Sequence, residues 1–284
     1  MNRPQLYALL LLALLGLTAC NGDDDYLPSY QSEMVVEGWI EDGGFPMVMV
    51  SRTYPVKESN TSKEELEDYI LRWARVTVTC EGRTVVLTGM RDNRYFPPFI
   101  YTTALMRGKA GKEYTLKVDF DGMHAKATTK VLPAPQLNAL RADPVPDDEG
   151  YYSVKATFTD PAYERNFYQF FVKKGKTTRQ YQAAYLGSVD DTGLKGLTEH
   201  TVNYGRTFKD KDSYKPYYHS GDTVYVKLAQ VDESAYNYWS EFDKNILLGH
   251  STLFPKTTNL PSNVEGAIGC WYGMGSTTRT LIIP

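Results

Sequence analysis

The first 20 residues constrain this chain more than any other feature. Arg3 gives a short positive segment, residues 6–17 form an apolar run rich in Leu and Ala, and small residues precede Cys20. This is the layout of a secretory signal peptide. The apolar run is shorter than the roughly 20 residues that a membrane-spanning helix needs. We therefore predict that residues 1–19 are removed and that the mature chain folds outside the cytoplasm.

The end of this segment, Leu17-Thr-Ala-Cys20, resembles the bacterial lipobox. In lipoproteins the signal peptidase cuts before such a cysteine, and acyl chains such as palmitate are attached to it. The resemblance implies a lipidated Cys20 followed by a tether over residues 20–32. Several acyl chains on one residue hold a protein stably on a bilayer, which a single chain does not. The alternative is an ordinary signal peptide that ends by chance at a cysteine.

Three acidic residues, Asp23, Asp24 and Asp25, follow closely after Cys20. Such a polar segment cannot be buried, so it predicts a disordered tether. It also resembles the short acidic export signal that sends lipoproteins of Bacteroidota to the outer face of the outer membrane. That resemblance implies a lipid-anchored protein facing the cell exterior. The plainer interpretation is a solvated spacer.

The charge of the mature chain excludes one class of partner. Removing residues 1–19 takes away only Arg3, which leaves 30 basic and 34 acidic residues and a net charge of −4. A nucleic-acid-binding protein would show a basic stripe instead, so we expect no nucleic acid. Hydrophobic residues make up 42% of the chain and charged residues 23%. This balance is typical of a globular chain with real hydrophobic cores.

Short alternating segments between turn residues predict a mainly β chain. Residues 33–40 and 46–51 form a predicted hairpin, in which Gly38 indicates a bulge. A further hairpin turns at Asp121-Gly122, a dipeptide that favours such turns. The Gly-rich tail ends in a predicted strand at residues 279–283. The fold class is therefore mainly β and antiparallel.

We predict two β-sandwich domains, prealbumin-like or immunoglobulin-like, over residues 33–132 and 136–284. Two prolines between them, at positions 133 and 135, indicate a stiff linker. The order Ala74-Arg-Val-Thr-Val, then Tyr95, then Gly111-Lys-Glu-Tyr-Thr-Leu-Lys-Val resembles the prealbumin-like sandwich. That module occurs beside carboxypeptidases and at the front of some TonB-dependent transporters.

Two helices interrupt the predicted strands. The first has two to three turns, with a capping box at Ser62 and a helical stripe that ends at Trp73. The second lies near residues 233–248, begins at Asp232 and turns an apolar stripe towards the core. Residues 187–215 are Gly-rich, charged and poor in apolar residues. They predict a long surface loop, the kind of segment that often carries function.

Two aromatic clusters are weak candidates for a ligand site. The chain has 22 tyrosines, and exposed aromatic patches mark interaction sites. The candidate residues are Tyr95, Phe96 and Phe99 in the first domain and Tyr214, Tyr217 and Tyr218 in the second. The ligand would be a small molecule, a glycan or a peptide. Burial of the same rings at the rims of the sandwiches explains the two clusters equally well.

Two cysteines, Cys80 and Cys270, remain after lipidation of Cys20. The compartment permits a disulfide, which would join the two predicted domains. The alternative is a pair of separate buried thiols that behave as small hydrophobic side chains.

No motif in the chain nominates catalytic or metal-binding residues. The four histidines are scattered, and the chain has no His-Glu-x-x-His, Cys-x-x-Cys or Gly-x-Ser-x-Gly pattern. We therefore predict a non-enzymatic protein without metal or cofactor. A hydrolase whose site forms only in the folded chain is the remaining catalytic alternative.

Three segments carry a resemblance over nearly the whole mature chain. They are Met34-Val-Val-Glu-Gly-Trp-Ile-Glu-Asp-Gly43, Tyr236-Asn-Tyr-Trp239 and Thr258-Asn-Leu-Pro-Ser-Asn-Val-Glu-Gly266. With them the chain resembles the Bacteroidota lipoproteins grouped as domain of unknown function (DUF) 4249. Members are typically encoded beside TonB-dependent outer-membrane transporters. The resemblance implies an accessory protein that captures a ligand for such a transporter; the alternative is a structural adhesin or assembly subunit.

Overall fold

A computed structural model gives the structure of most of the chain from residue 32 onwards. It describes residues 32–54, 63–146, 148–161, 164–175, 180–194, 196–205, 214–248 and 259–284. Residues 33–284 form one compact unit. The predicted signal peptide, Cys20 and the acidic residues Asp23, Asp24 and Asp25 lie outside the described residues.

Fifteen strands and two helices make up the described part of the chain. The strands are β1 (Met34–Glu41), β2 (Met47–Arg52), β3 (Arg75–Cys80), β4 (Arg83–Arg91), β5 (Phe99–Thr102), β6 (Glu113–Phe120), β7 (Met123–Lys130), β8 (Gln136–Pro144), β9 (Tyr151–Asp160), β10 (Phe167–Lys174), β11 (Gln182–Asp190), β12 (Gly196–Thr201), β13 (Tyr218–His219), β14 (Thr223–Val231) and β15 (Ile268–Ile282). The helices are α1 (Lys63–Glu67) and α2 (Glu233–Leu248). The predicted fold class is confirmed: the described part of the chain is mainly β, with mostly antiparallel strands and two helices.

Eleven strands form one continuous sheet in the order β11-β10-β14-β15-β1-β2-β5-β4-β3-β6-β7. In the second sheet β9 pairs with β8, β12 and β13. Within the described chain β1 and β15 are the parallel neighbours, from Val35 opposite Ile268 to Glu41 opposite Met274. The rest of β15 pairs with β14 in antiparallel fashion. The last strand therefore joins both halves of the large sheet.

Three hydrophobic clusters stabilise the fold. The first lies among the strands of the N-terminal half and also contains the fully buried Trp271 of β15. The second joins the four-stranded sheet to one face of β10 and β14, with Phe170 and Val226 at its centre. The third lies under helix α2 and contains Ala235 and Tyr272. These alternating strands bury apolar side chains on both of their faces.

Gly38 does not mark a bulge, so that prediction was wrong. The pairing of β1 with β2 runs without a shift from Met34 opposite Arg52 to Trp39 opposite Met47. The glycine instead allows close packing. A Cβ at position 38 would lie 2.8 Å from the backbone O of Met47 and 3.0 Å from the Trp271 ring.

The first helix is shorter than its predicted two to three turns. Helix α1 ends at Glu67, and Ile70 already pairs with Ser51 at the end of β2. The backbone N of Leu71 donates to the O of Val50 at 3.0 Å. Pairing with β2 replaces the helix there, and it leaves Trp73 90% exposed. The capping residue Ser62 lies outside the described residues.

The prediction of a long loop over residues 187–215 was also wrong in part. Strand β11 continues to Asp190, and β12 occupies residues 196–201. Strand β12 lies at one edge of the four-stranded sheet, where Leu197 is 69% exposed. An edge strand with little buried surface is polar, which explains why its sequence resembles a loop.

The predicted boundary between domains at residues 133–135 stays a prediction. Most residues of the first hydrophobic cluster precede this boundary, and the residues of the second cluster come after it. The C-terminal segment contributes to both clusters, with Trp271 in the first and Ile283 in the second. Among the described residues no helix is long and apolar enough to cross a bilayer.

Candidate functional site

One face of the large sheet carries an unusual set of side chains. In β1, Val36 and Ile40 point into the first hydrophobic cluster. Because side chains alternate along a strand, Trp39 and Glu41 point to the opposite face, where both are half-buried.

The same face continues across β14 and β10. Val226 and Leu228 of β14 enter the second hydrophobic cluster, so Lys227 points the other way. Phe171 of β10 lies opposite Lys227 in the pairing of the two strands. In β15, Tyr272 lies beside Trp39. The face therefore draws on both ends of the chain.

Helix α2 covers part of this face. The carboxylate of Asp232 caps the helix, since its Oδ1 accepts a hydrogen bond from the N of Ala235 at 2.9 Å. Ala235, Tyr238 and Trp239 form one stripe that packs in the third hydrophobic cluster. Both the position of this helix and its core-facing stripe agree with the prediction from sequence.

A cleft of about 380 Å³ lies beside helix α2 on this face. Its aromatic lining residues are Trp39, Phe45, Tyr95, Phe171, Tyr181, Trp239 and Tyr272. Three methionines, Met47, Met49 and Met274, complete most of the apolar wall. Small-molecule sites typically measure roughly 300–1,000 Å³ and have mainly apolar walls. The cleft has the size and the lining of such a site.

The rings of the cleft hold one another in place. The ring centroids of Trp39 and Tyr95 are 6.0 Å apart. Trp239 meets both Phe171 and Tyr272 in edge-to-face geometry, with centroids 5.6 and 6.2 Å apart. Such aromatic pairs stabilise each other beyond their buried area. The wall of the cleft is therefore preorganised.

The described lining has two charged residues, Glu41 and Lys227, and they bind each other. The Nζ of Lys227 donates to both carboxylate oxygens of Glu41, at 2.8 and 2.7 Å. Their side chains are 12% exposed for Lys227 and 26% for Glu41. The hydroxyl of Ser276 also donates to Glu41, and Lys227 lies 4.8 Å from the centroid of Tyr181. Removing only one partner of such a half-buried pair is destabilising, because it leaves the other charge without a counter-ion.

The turn that presents Tyr95 is fixed by Asp92. The carboxylate of Asp92 accepts hydrogen bonds from the backbone N of Arg94 at 3.0 Å and from its Nε at 2.8 Å. The backbone N of Tyr95 donates to the O of Asp92 at 3.1 Å. The hydrogen bonds from Arg94 lower the pKa of Asp92, so this carboxylate stays charged at neutral pH.

A smaller cavity of about 80 Å³ shares Trp39 and Trp239 with the cleft and reaches Cys270. Burial raises the pKa of the Cys270 thiol, which therefore stays protonated. A buried thiol without a nearby cation is a poor nucleophile. The hydroxyl of Tyr238 donates to Glu37 at 2.6 Å, and burial raises the pKa of Tyr238. This wall offers packing and fixed polar contacts rather than a nucleophile.

The structure separates the first predicted aromatic cluster. Tyr95 lines the cleft. Phe99 packs instead against Tyr101, with ring centroids 5.5 Å apart, at the edge of the first hydrophobic cluster. Phe96 is half-buried and lies outside the cleft lining. The structure thus brings one of the three residues to the cleft.

The second predicted aromatic cluster lies away from the cleft. Tyr218 is fully buried in the second hydrophobic cluster and has no surface to offer a ligand. Tyr217 contacts Tyr151, with centroids 6.4 Å apart. The hydroxyl of Tyr214 donates to the backbone O of Tyr204. A ligand role for Tyr214 and Tyr217 stays a prediction.

Most of the cleft was missed from the sequence because its residues come from distant segments. Trp39 and Met274 are brought together through the parallel pairing of β1 with β15. One local signal was available. Trp39, Met47 and Met49 occupy the half-buried phase of their strands, opposite the apolar core phase. Large apolar side chains on both phases indicate a second packed or binding surface.

Cys80 and Cys270 are both free thiols in the structure. Among the residues that the structure describes, no group of three or more His, Cys, Asp or Glu side chains could hold a metal ion.

One family of proteins matches this chain. A family model described as "Domain of unknown function (DUF4249)" matches residues 23–280. A comparison with curated proteins gave no match. The matched range includes every described residue that lines the cleft. The chain belongs to the DUF4249 family.

Proposed function

We propose that this protein is a non-enzymatic lipoprotein of the outer membrane that captures a ligand for a TonB-dependent transporter. The observation that carries the proposal is the cleft beside helix α2. It combines a volume suited to a small molecule with preorganised aromatic walls. Burial keeps its Cys270 neighbour protonated, and the described lining nominates no nucleophile beside a base.

The location in the cell rests on the sequence before the folded unit. Cys20 at the end of a lipobox-like segment supports a lipid anchor, and the acidic residues after it support display on the cell surface. Resemblance to lipoproteins encoded beside TonB-dependent transporters supports the choice of partner. A tethered binding protein raises the local concentration of its ligand near the transporter.

Affinity purification tests this proposal. The tagged protein is isolated from gently solubilised outer membranes of its own organism, and the proteins that accompany it are identified by mass spectrometry. We expect a TonB-dependent transporter in stoichiometric amount. The Cys20→Ala variant is the matched control, since it should lose the anchor and with it the transporter. Recovery of the protein alone, or with other surface subunits, would contradict the proposal.

One observation favours a second candidate, a structural surface subunit. Trp73, just before β3, is 90% exposed, and Val86 and Met90 on the outer face of β4 are 55% and 49% exposed. Exposed apolar side chains on one side of a sheet are typical of an interaction surface. Concentration-dependent self-association of the wild type, lost in the Trp73→Ala variant, would support this function.

A further inference from the structure

We propose that the cleft binds an uncharged molecule with a flat, mostly apolar ring system. This inference rests on the proposed ligand-capture function and names the chemical class of the ligand. It follows from the charge balance of the wall, from the shape of the rings and from the methionines beside them.

The two charges of the described lining cancel each other. Glu41 and Lys227 neutralise each other through two hydrogen bonds of 2.8 and 2.7 Å. The ammonium also contacts the Tyr181 ring, and the carboxylate also accepts from Ser276. Neither charge is left to pair with a ligand. A charged group in the cleft would lose its hydration without gaining a counter-ion, which is unfavourable.

Two further cations contact rings of the wall without lining the cleft. The guanidinium of Arg107 lies 4.1 Å from the centroid of Phe45, and it donates to the backbone O of Gly43. The ammonium of Lys173 lies 4.3 Å from Tyr225 and 5.4 Å from Tyr181. Neither cation is among the described residues that line the cleft, so neither adds a charge to its wall.

The aromatic rings of the wall lie at steep angles to one another. The ring plane of Trp239 is almost perpendicular to those of Phe171 and Tyr272, with interplanar angles of 88°. Trp39 and Tyr95 are tilted by 50° to each other. Rings fixed in these orientations offer faces and edges to a flat guest, which prefers offset-stacked or edge-to-face contacts.

The wall suits a flat apolar ring better than a sugar. A sugar needs several hydrogen-bond partners for its hydroxyls, besides an aromatic face. Here the carboxylate of Glu41 and the ammonium of Lys227 already satisfy each other, and the Nε2 of Gln182 donates to the O of Gly205 at 2.5 Å. The other polar side-chain groups of the described lining are Gln180 and the hydroxyl and indole groups of the aromatic residues, which are few for a sugar. The remaining wall includes Met47, Met49 and Met274, whose thioethers adapt to apolar guests. An apolar ring system therefore fits better than a glycan.

Two dyes with nearly the same skeleton test the inference. N-phenyl-1-naphthylamine is neutral at pH 7, whereas 1-anilinonaphthalene-8-sulfonate carries one negative charge. Each is titrated by fluorescence into the full mature protein. We expect saturable one-to-one binding of the neutral dye and at least about tenfold weaker binding of the sulfonate. Maltotetraose, a neutral oligosaccharide, should not displace the neutral dye.

Charge variants sharpen the test. Glu41→Gln leaves Lys227 without its carboxylate and should reverse the preference in favour of the sulfonate dye. The double variant Glu41→Gln with Lys227→Gln removes both charges and should restore the preference for the neutral dye. Trp39→Ala should lose dye binding, whereas Trp73→Ala, outside the cleft, should keep it. Circular dichroism confirms that each variant is folded.

Three results would overturn the inference: equal or tighter binding of the sulfonate dye to the wild type, displacement of the neutral dye by maltotetraose, or no saturable binding of the neutral dye. These outcomes are separate from the proposed function. Recovery of a transporter with the protein, together with a failed dye experiment, would leave ligand capture intact and reject only this ligand class.

Discussion

At the scale of single residues, a few close contacts limit which side chains the sheet accepts without loss of stability. Gly38 in β1 is flanked by the backbone of Met47 on one side and by the buried Trp271 on the other. Its neighbour Trp39 faces the cleft. One position thus controls both the packing of the first hydrophobic cluster and the placement of a cleft residue.

The Gly38→Ala substitution should destabilise the protein by about 1–3 kcal/mol, because the added Cβ would overlap the O of Met47 and the Trp271 ring. Urea unfolding followed by Trp fluorescence measures the loss. Val86→Ala, on the exposed face of β4, is the control and should change the free energy of unfolding by less than about 0.5 kcal/mol. Equal stability of Gly38→Ala and wild type would contradict the packing described for Gly38.

At the scale of elements, sequence patterns predicted the structures that depend on interactions between residues close in the chain. The cap at Asp232 and the spacing of Ala235 and Trp239 predicted helix α2. The Asp121-Gly122 turn between β6 and β7 was predicted because this dipeptide accepts positive φ, here 44° and 79°. The helical spacing that ended at Trp73 predicted too long a first helix. Ile70 pairs with Ser51 of β2 instead of continuing the helix.

The cap of helix α2 also ties the two halves of the chain together. The Oδ2 of Asp232 accepts a hydrogen bond from Thr129 of β7 at 3.1 Å, in addition to the cap bond from Ala235. Asp232→Ala should therefore lower the free energy of unfolding by about 1–2 kcal/mol. Asp232→Asn keeps a capping oxygen and should lose clearly less. Chemical denaturation measures the free energy of unfolding of both variants. Equal losses in the two variants would contradict a capping role for Asp232.

Helix α2 carries a buried acid that makes stability depend on pH. Asp243 is 6% exposed, and its Oδ2 accepts from the backbone N and the hydroxyl of Ser188 in β11, at 3.1 and 2.7 Å. Burial raises the pKa of Asp243 above 3.8, although the bonds from Ser188 oppose the rise. Between pH 3.8 and the raised pKa of the folded state, Asp243 holds a proton that it releases on unfolding. Stability from this group therefore falls as pH rises through that window.

Asp243→Asn removes this titration while keeping an oxygen for Ser188. We expect its Tm to exceed that of the wild type at pH 7, and the difference between the two proteins to shrink as pH falls towards 4. Thermal unfolding followed by circular dichroism at a series of pH values measures both. A difference in Tm that is the same at all pH values would contradict the raised pKa.

At the scale of the whole molecule, the last strand, β15, connects the N-terminal and C-terminal strands of the large sheet. The first part of β15 pairs with β1 and its last eight residues pair with β14. In the pairing with β1, more than 200 residues separate the partners along the chain. No local pattern encodes such a pairing, and the tail was predicted to form a strand only at residues 279–283. For the same reason the cleft could not be assembled from the sequence, whereas the mainly β class could.

Residues 33–132, produced without the rest of the chain, should not fold cooperatively. They would lack Trp271 of the first hydrophobic cluster, and they would lack β15, the parallel partner of β1. Loss of a buried Trp alone costs about 3–5 kcal/mol, a large share of the stability of a domain this size. Proton–nitrogen correlation spectra should show poor dispersion. A well-dispersed spectrum with a sharp thermal transition would instead establish an independent N-terminal domain.

The most direct test of ligand capture is native mass spectrometry of the protein purified from cells of its own organism. We expect a bound small molecule on the wild type and loss of that added mass in the Trp39→Ala variant, whose fold is checked by circular dichroism. A wild-type protein that carries no added mass, or a Trp39→Ala variant that keeps it, would contradict the claim that the cleft beside helix α2 captures the ligand.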